Sequence, residues 1–258
     1  KTTGFASANN NGTFRVFSVV ALKVVVDAPT PDLVTVAAGP AITVQGKMVR
    51  NGVTPRSFLM EQRFNDIVQY SSFTGMRPNQ MDLTLNSRAI ITGSMSFMGE
   101  QGVPAGASVA GSSVAAASNV AMDSSNNVVS IIENGTVLTT PVLNAALTLN
   151  NNAAIQPAIA NRFPIGIRYG VFEATGRLEI YFENVTLLNK FINHDAVSLV
   201  FRMRDDNLKQ MIWSFPRIQF SEGDTNVTGE NSDILISLPF RSSFSSTYNN
   251  SFQIDILT

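Results

Sequence analysis

The only histidine in the chain, His194, stands in Asn193-His194-Asp195. A Ser-His-Asp triad would have to use it, but no G-x-S-x-G turn accompanies it. Placed just past a predicted helix, it reads better as a polar residue favoured by the helix dipole. Asp205 and Asp206 form a carboxylate pair. A calcium loop needs several spaced oxygen ligands and a closing Glu, so with Asn207 they read as a turn. Glu179 and Glu183 would sit roughly 13 Å apart on one strand, which fits neither glycosidase geometry. The small-residue run 99–119 has no Lys and no strand-to-helix context, so it is no phosphate cradle. Cysteine is absent, which removes disulfides, thiolate metal sites and a thiol nucleophile. The expectation is a non-enzymatic chain with no catalytic residue, metal ligand or cofactor.

Composition points the same way. Across 258 residues, 44% are hydrophobic, enough for a sizeable core. Only 14% are charged, against roughly 25% in an average soluble domain. A net charge of −1 lacks the basic excess of a nucleic-acid binder. It also leaves little repulsion between copies. The longest apolar stretch, Val16 to Val26, is interrupted by Ser18 and Lys23 and is too short to span a bilayer, so no membrane partner is expected. The opening on Lys1 rather than Met leads us to expect residues upstream.

Across the chain, β signals dominate. Val-rich runs at 14–17, 22–26, 33–36 and 41–49, bounded by Gly and Pro, predict a small β module over residues 1–50. The remainder, 51–258, is predicted as one β domain. Its strands are expected at 56–64, 80–86, 89–98, 143–149, 176–183, 196–204, 208–220, 234–240 and 251–257. Pro216 is expected to mark an edge or a bulge, and 123–133 suits a short helix or a strand. A short amphipathic helix is predicted from Val185 to Asn193, capped by Asn184 or Thr186. The run 99–119 has almost no large side chain and is expected to be a flexible loop that orders only against a neighbour. A weak repeat is also visible: Ile91–Met98 matches Ala174–Tyr181 in pattern, and Leu83-Thr84-Leu85-Asn86 recurs as Leu147-Thr148-Leu149-Asn150.

Several stretches carry a resemblance. They include Arg56-Ser57-Phe58 with Glu61 and Phe64, Asp66-Ile67-Val68-Gln69-Tyr70, and Phe73-Thr74-Gly75-Met76-Arg77. Further on come Ile91 to Gly99, Thr175 to Glu183, Asn189 to Asn193, Ser198 to Arg202, Phe215 to Phe220, and Ser237-Leu238-Pro239-Phe240. In order and spacing these resemble the tail tube proteins of long, non-contractile-tailed bacteriophages. Residues around Asn10-Asn11-Gly12-Thr13-Phe14 resemble a β module often inserted in such proteins.

The resemblance implies a mainly β fold: an antiparallel β-sandwich or barrel with one short helix and a small N-terminal β module. It implies a structural virion protein whose rings, usually of six copies, stack into a tube that carries double-stranded DNA at ejection. Implied partners are other copies of the chain and the tail terminator, tape measure and distal tail proteins. The implied location is the virion tail, assembled in the host cytoplasm. A lumen roughly 40 Å across needs about 20 tilted strands, or about four from each of six copies. The segments 81–86, 90–98, 176–183 and 196–204 are the expected four. Ser94, Ser96, Arg177, Glu179, Tyr181 and Glu183 are the expected lumen or inter-subunit face. The apolar faces, Met95 and Phe97 with Leu178, Ile180 and Phe182, are expected to pack on the helix and an outer layer. Gly99, Glu100, Gln101, Val103, Val109 and Val114 are the candidate inter-ring loop, with a passive surface loop as the competing reading. The alternative class is a secreted or surface β-rich carbohydrate-binding or adhesin module.

Overall fold

The computed structural model describes residues 2–3, 15–20, 23–27, 43–44, 47–110, 115–116, 118, 120–183, 185–227 and 233–257. Two small antiparallel pairs come first: β1 (Thr2–Thr3) with β4 (Thr43–Val44), and β2 (Arg15–Val20) with β3 (Lys23–Asp27). The predicted strand at 33–36 lies outside the described residues.

The main body is one large antiparallel sheet. It contains β5 (Lys47–Arg50), β6 (Phe58–Phe64), β7 (Gln69–Asn86), β8 (Thr92–Met98), β9 (Gln101–Ala105), β10 (Val128–Glu133) and β11 (Thr136–Val137). It continues through β12 (Val142–Asn150), β15 (Glu173–Tyr181), β16 (Val197–Arg204), β17 (Gln210–Phe220), β18 (Asp224–Val227), β19 (Ile234–Ser242) and β20 (Gln253–Leu257). A two-stranded hairpin, β13 (Ala154–Gln156) with β14 (Gly166–Arg168), and one helix, α1 (Thr186–Ile192), complete the body. Among the described residues the fold is therefore mainly β with one short helix, as expected. β5 falls within the predicted N-terminal module, yet it hydrogen-bonds to β20 at the far end of the chain.

Prolines organise the longest strands. β7, at about 60 Å, pairs with β6 through residues 69–76 and with β12 through 80–86 on the same side. Pro78 sits between the two partners. β17 pairs with β20 through 210–214 and with β19 through 218–220, with Pro216 in the gap. β19 changes from β18 to β17 around Pro239. A residue without an N–H fits where a ladder breaks. Pro216 also lies in a bulge against β16, between Leu199↔Phe215 and Val197↔Ile218.

These breaks let the sheet turn back on itself around a single core. Leu147, Leu178, Ile236, Leu238 and Phe240 from one half meet Leu199, Phe201, Met203, Trp213 and Phe215 from the other. The Phe215 ring lies 5.6 Å from Phe240 and 5.1 Å from Phe252. Helix α1 buries Leu187 and rests Leu188 and Phe191 on the core. Its N-cap position is Val185, with no side-chain cap, and Thr186 is its first helical residue. The expected cap therefore does not form at Thr186, and Asn184 lies outside the described residues. The helix is held instead by packing and by Lys190 Nζ, 2.6 Å from Glu133 Oε2 on β10.

Candidate functional site: a polar sheet face

Strands β8, β7, β12, β15 and β19 lie side by side in that order. Alternation sends Leu85, Leu147, Leu178, Ile180 and Leu238 to the core. The opposite face carries short polar side chains in rows. One row runs Ser94, Asp82, Thr148, Thr175, Arg241; the next runs Thr92, Thr84, Ala146, Arg177, Pro239. Ser94, Ser96, Arg177, Glu179 and Tyr181, far apart in sequence, thus share one face. Glu183 does not. It follows the end of β15, where its N–H bonds the Tyr181 carbonyl.

The fourth expected strand, 196–204, is β16 and is separated from β19 by β17. Its place beside β15 belongs to β12. Both strands alternate equally well, so periodicity alone does not choose between them. The expected packing of the apolar faces also divides. Leu178 is 1% exposed, whereas Met95 is 52% exposed, because the second layer does not reach β8. Phe97 meets Phe58 of β6 edge-on at 6.4 Å instead.

The polar face holds three carboxylates, Asp82, Glu173 and Glu179, and two arginines, Arg177 and Arg241. Arg241 pairs with Glu173. Glu179 accepts a hydrogen bond from Asn144 Nδ2. Asp82 accepts from Thr148 Oγ1 at 2.8 Å, from Gln80 Nε2 at 2.9 Å and from Ser94 Oγ at 3.2 Å. The Thr148 bond is the main reason its carboxyl titrates below the ordinary aspartate range. The outer face of the other half has the opposite balance. Arg50, Arg202 and Arg204 share it with Asp255. Burial, and then the Arg204 charge, lower the pKa of Arg202.

Within the 99–119 run, residues 99–110 are more ordered than their composition predicts. Gln101–Ala105 forms β9, paired with Tyr70–Thr74 of β7. Ser108 Oγ and the Val109 N–H both donate to the Glu61 carboxylate at 2.6 Å. Apolar burial is small here, and the segment is ordered instead by backbone ladder bonds and a carboxylate clamp. Gly99 and Glu100 make the turn from β8, and the Glu100 N–H bonds Thr74 O. Gln101 and Val103 lie on β9, Val109 is exposed, and Val114 lies outside the described residues. β6, β7 and β9 together form a three-stranded arm on which Phe58, Leu59 and Val103 are exposed. The sequence pattern predicts no strand at 69–79, so the arm is a feature of the tertiary structure.

Among the described residues, no group of three or more His, Cys, Asp or Glu is placed to hold a metal ion. No helix among them is long and apolar enough to cross a membrane. A protein-family model described as "Phage tail tube protein" matches residues 4–242. No curated protein matches the chain.

Proposed function

The chain belongs to the phage tail tube protein family, and from that premise we propose that it is the ring-forming subunit of a tube through which double-stranded DNA leaves the virion. The family is a structural one, found in the virion tail, and it implies self-assembly into a tube. The finer reading is ours. Six copies close each ring, and the polar face of β8, β7, β12 and β15 lines the bore. The rings stack between the distal tail and tail terminator proteins, around the tape measure protein, in the host cytoplasm.

One observation carries this reading: four adjacent antiparallel strands offer a single continuous face of short polar side chains with more carboxylate than guanidinium. A duplex must slide past such a wall without being held, and every neutralised phosphate adds affinity. The more basic face across the sandwich is then directed outward. The free edge along Thr92–Met98 is an aggregation hazard in an isolated copy, and ring closure covers it. The arm, with Gln101, Val103 and Val109, makes the contact between rings. The predicted N-terminal module decorates the outside.

The test is Glu179→Cys in assembled tubes, labelled with a maleimide too bulky to cross the wall. Entry only through the open ends, with slow labelling that quickens on shearing, is expected. Immediate labelling of intact tubes would place this face outside and reverse the assignment.

A further inference from the structure

The two ends of β15 carry surfaces of unlike chemistry, roughly 30 Å apart along the strand. Before β15, residues 151–172 contain Arg162 and Arg168 and no acidic residue. This connection is built as a rigid knob. Asn151 Nδ2 donates to Pro78 O at 3.0 Å, and the Ala153 N–H donates to Asn79 Oδ1 at 2.9 Å. Arg77 Nη1 donates to Ile167 O, and the Arg77 guanidinium lies 5.7 Å from the Tyr169 ring centre. Yet the knob exposes Ile159 at 99%, Val171 at 77% and Ile165 at 67%. With Phe163 these expose apolar side chain totalling on the order of 500 Å² within one connection. That is a large share of the roughly 800 Å² each partner gives a standard interface. Ala160 is held at φ 65° in the knob, a conformation unfavourable for a residue with a Cβ. Order, strain and exposed isoleucines together describe a surface prepared for contact.

Past the other end of β15, Glu183, Val185, Asp233 and Ile234 are exposed. The Phe182 N–H bonds Ile234 O at 2.9 Å, joining the two chain segments. The nearby Lys190 is engaged by Glu133. No Lys or Arg occurs between Arg217 and Arg241.

We propose that the basic apolar knob of one copy docks on the acidic apolar patch of the next, a head-to-tail contact along the strand direction. Two different patches at opposite ends of one subunit make a heterologous contact, which propagates instead of closing as a dimer. Opposite charges on the two patches set polarity and discourage head-to-head pairing. The proposal rests on the tube reading and names residues that join successive copies.

Charge exchange tests it. Arg162→Glu with Arg168→Glu reverses the knob, and Glu183→Arg with Asp233→Arg reverses the patch. Each pair alone is expected to raise the concentration needed for tube formation by more than about tenfold, with an unchanged circular-dichroism melt. All four together are expected to restore tubes seen by negative stain. Wild-type tubes alongside normal tubes from each reversed pair would overturn the docking proposal alone, as would failure of the four-fold variant to recover. A wild-type protein that never self-associates would overturn the tube reading and this proposal with it.

Discussion

Leu83 of β7 and Leu147 of β12 are direct cross-strand partners. Each begins a Leu-Thr-Leu-Asn segment, and each pairs on its other side with the Gly of a Thr-Gly sequence, Gly93 and Gly176 respectively. The row Gly93–Leu83–Leu147–Gly176 is therefore palindromic, and a local pseudo-dyad passes between the leucines. The sequence repeat is real in three dimensions: two similar hairpins lie side by side to make the four-stranded face. The copies have diverged where they pack. β15 is covered by the second layer, and its equivalent β8 is an exposed edge.

That asymmetry separates the two glycines. A Cβ on Gly176 would overlap the buried Phe240 ring and come within 2.8 Å of Ala146 O. One on Gly93 would meet the Asp82 carbonyl at 2.9 Å, on an exposed edge strand free to shift. Gly176→Val is expected to destabilise by about 2 kcal/mol or more, and Gly93→Val by clearly less. Urea midpoints of the two variants decide it.

Asp82 gives a pH dependence with a definite sign. Its folded-state pKa is depressed, chiefly by Thr148. The stability it contributes is present above the ordinary aspartate value near 3.8 and is lost as pH falls through the folded value. Asp82→Asn is expected to flatten the decline in stability between about pH 5 and pH 2. A series of urea midpoints at fixed ionic strength measures this.

The ion pair of Lys190 with Glu133 couples α1 to β10 across 57 positions of sequence. Glu133 is 8% exposed, and its Oε1 has no hydrogen-bond partner. Lys190→Met leaves that carboxylate without its counter-charge and is expected to cost about 1–3 kcal/mol. Adding Glu133→Gln should recover part of the loss. Thermal melts of the four proteins in the cycle report the coupling.

Arm substitutions separate folding from assembly. Phe58, Leu59 and Val103 are half-exposed, so changing all three to Ser should move the melting temperature little. Tube length is expected to collapse. Tubes of normal length from this variant would leave the arm with no part in stacking.

Trp213, 1% exposed and 5.5 Å from the Phe252 ring, has an Nε1–H without a partner. Trp213→Phe removes that buried donor while keeping a ring, and is expected to cost less than about 1.5 kcal/mol. Denaturant titration followed by circular dichroism checks it.

The sequence by itself determined many of the strands and which of their faces are apolar, as in Ala196–Arg204. It also determined the short helix. These are local properties, written in a period of two or of 3.6 residues. Only the tertiary structure decided which strands are neighbours. It put β12 rather than β16 beside β15, carried β7 unbroken past Pro78, joined β5 to β20, and set the knob and the acidic patch at opposite ends of one strand. Pairing partners are chosen by which apolar faces can be buried together and by where a ladder may break. Both conditions link residues tens to hundreds of positions apart, so no window of sequence contains them.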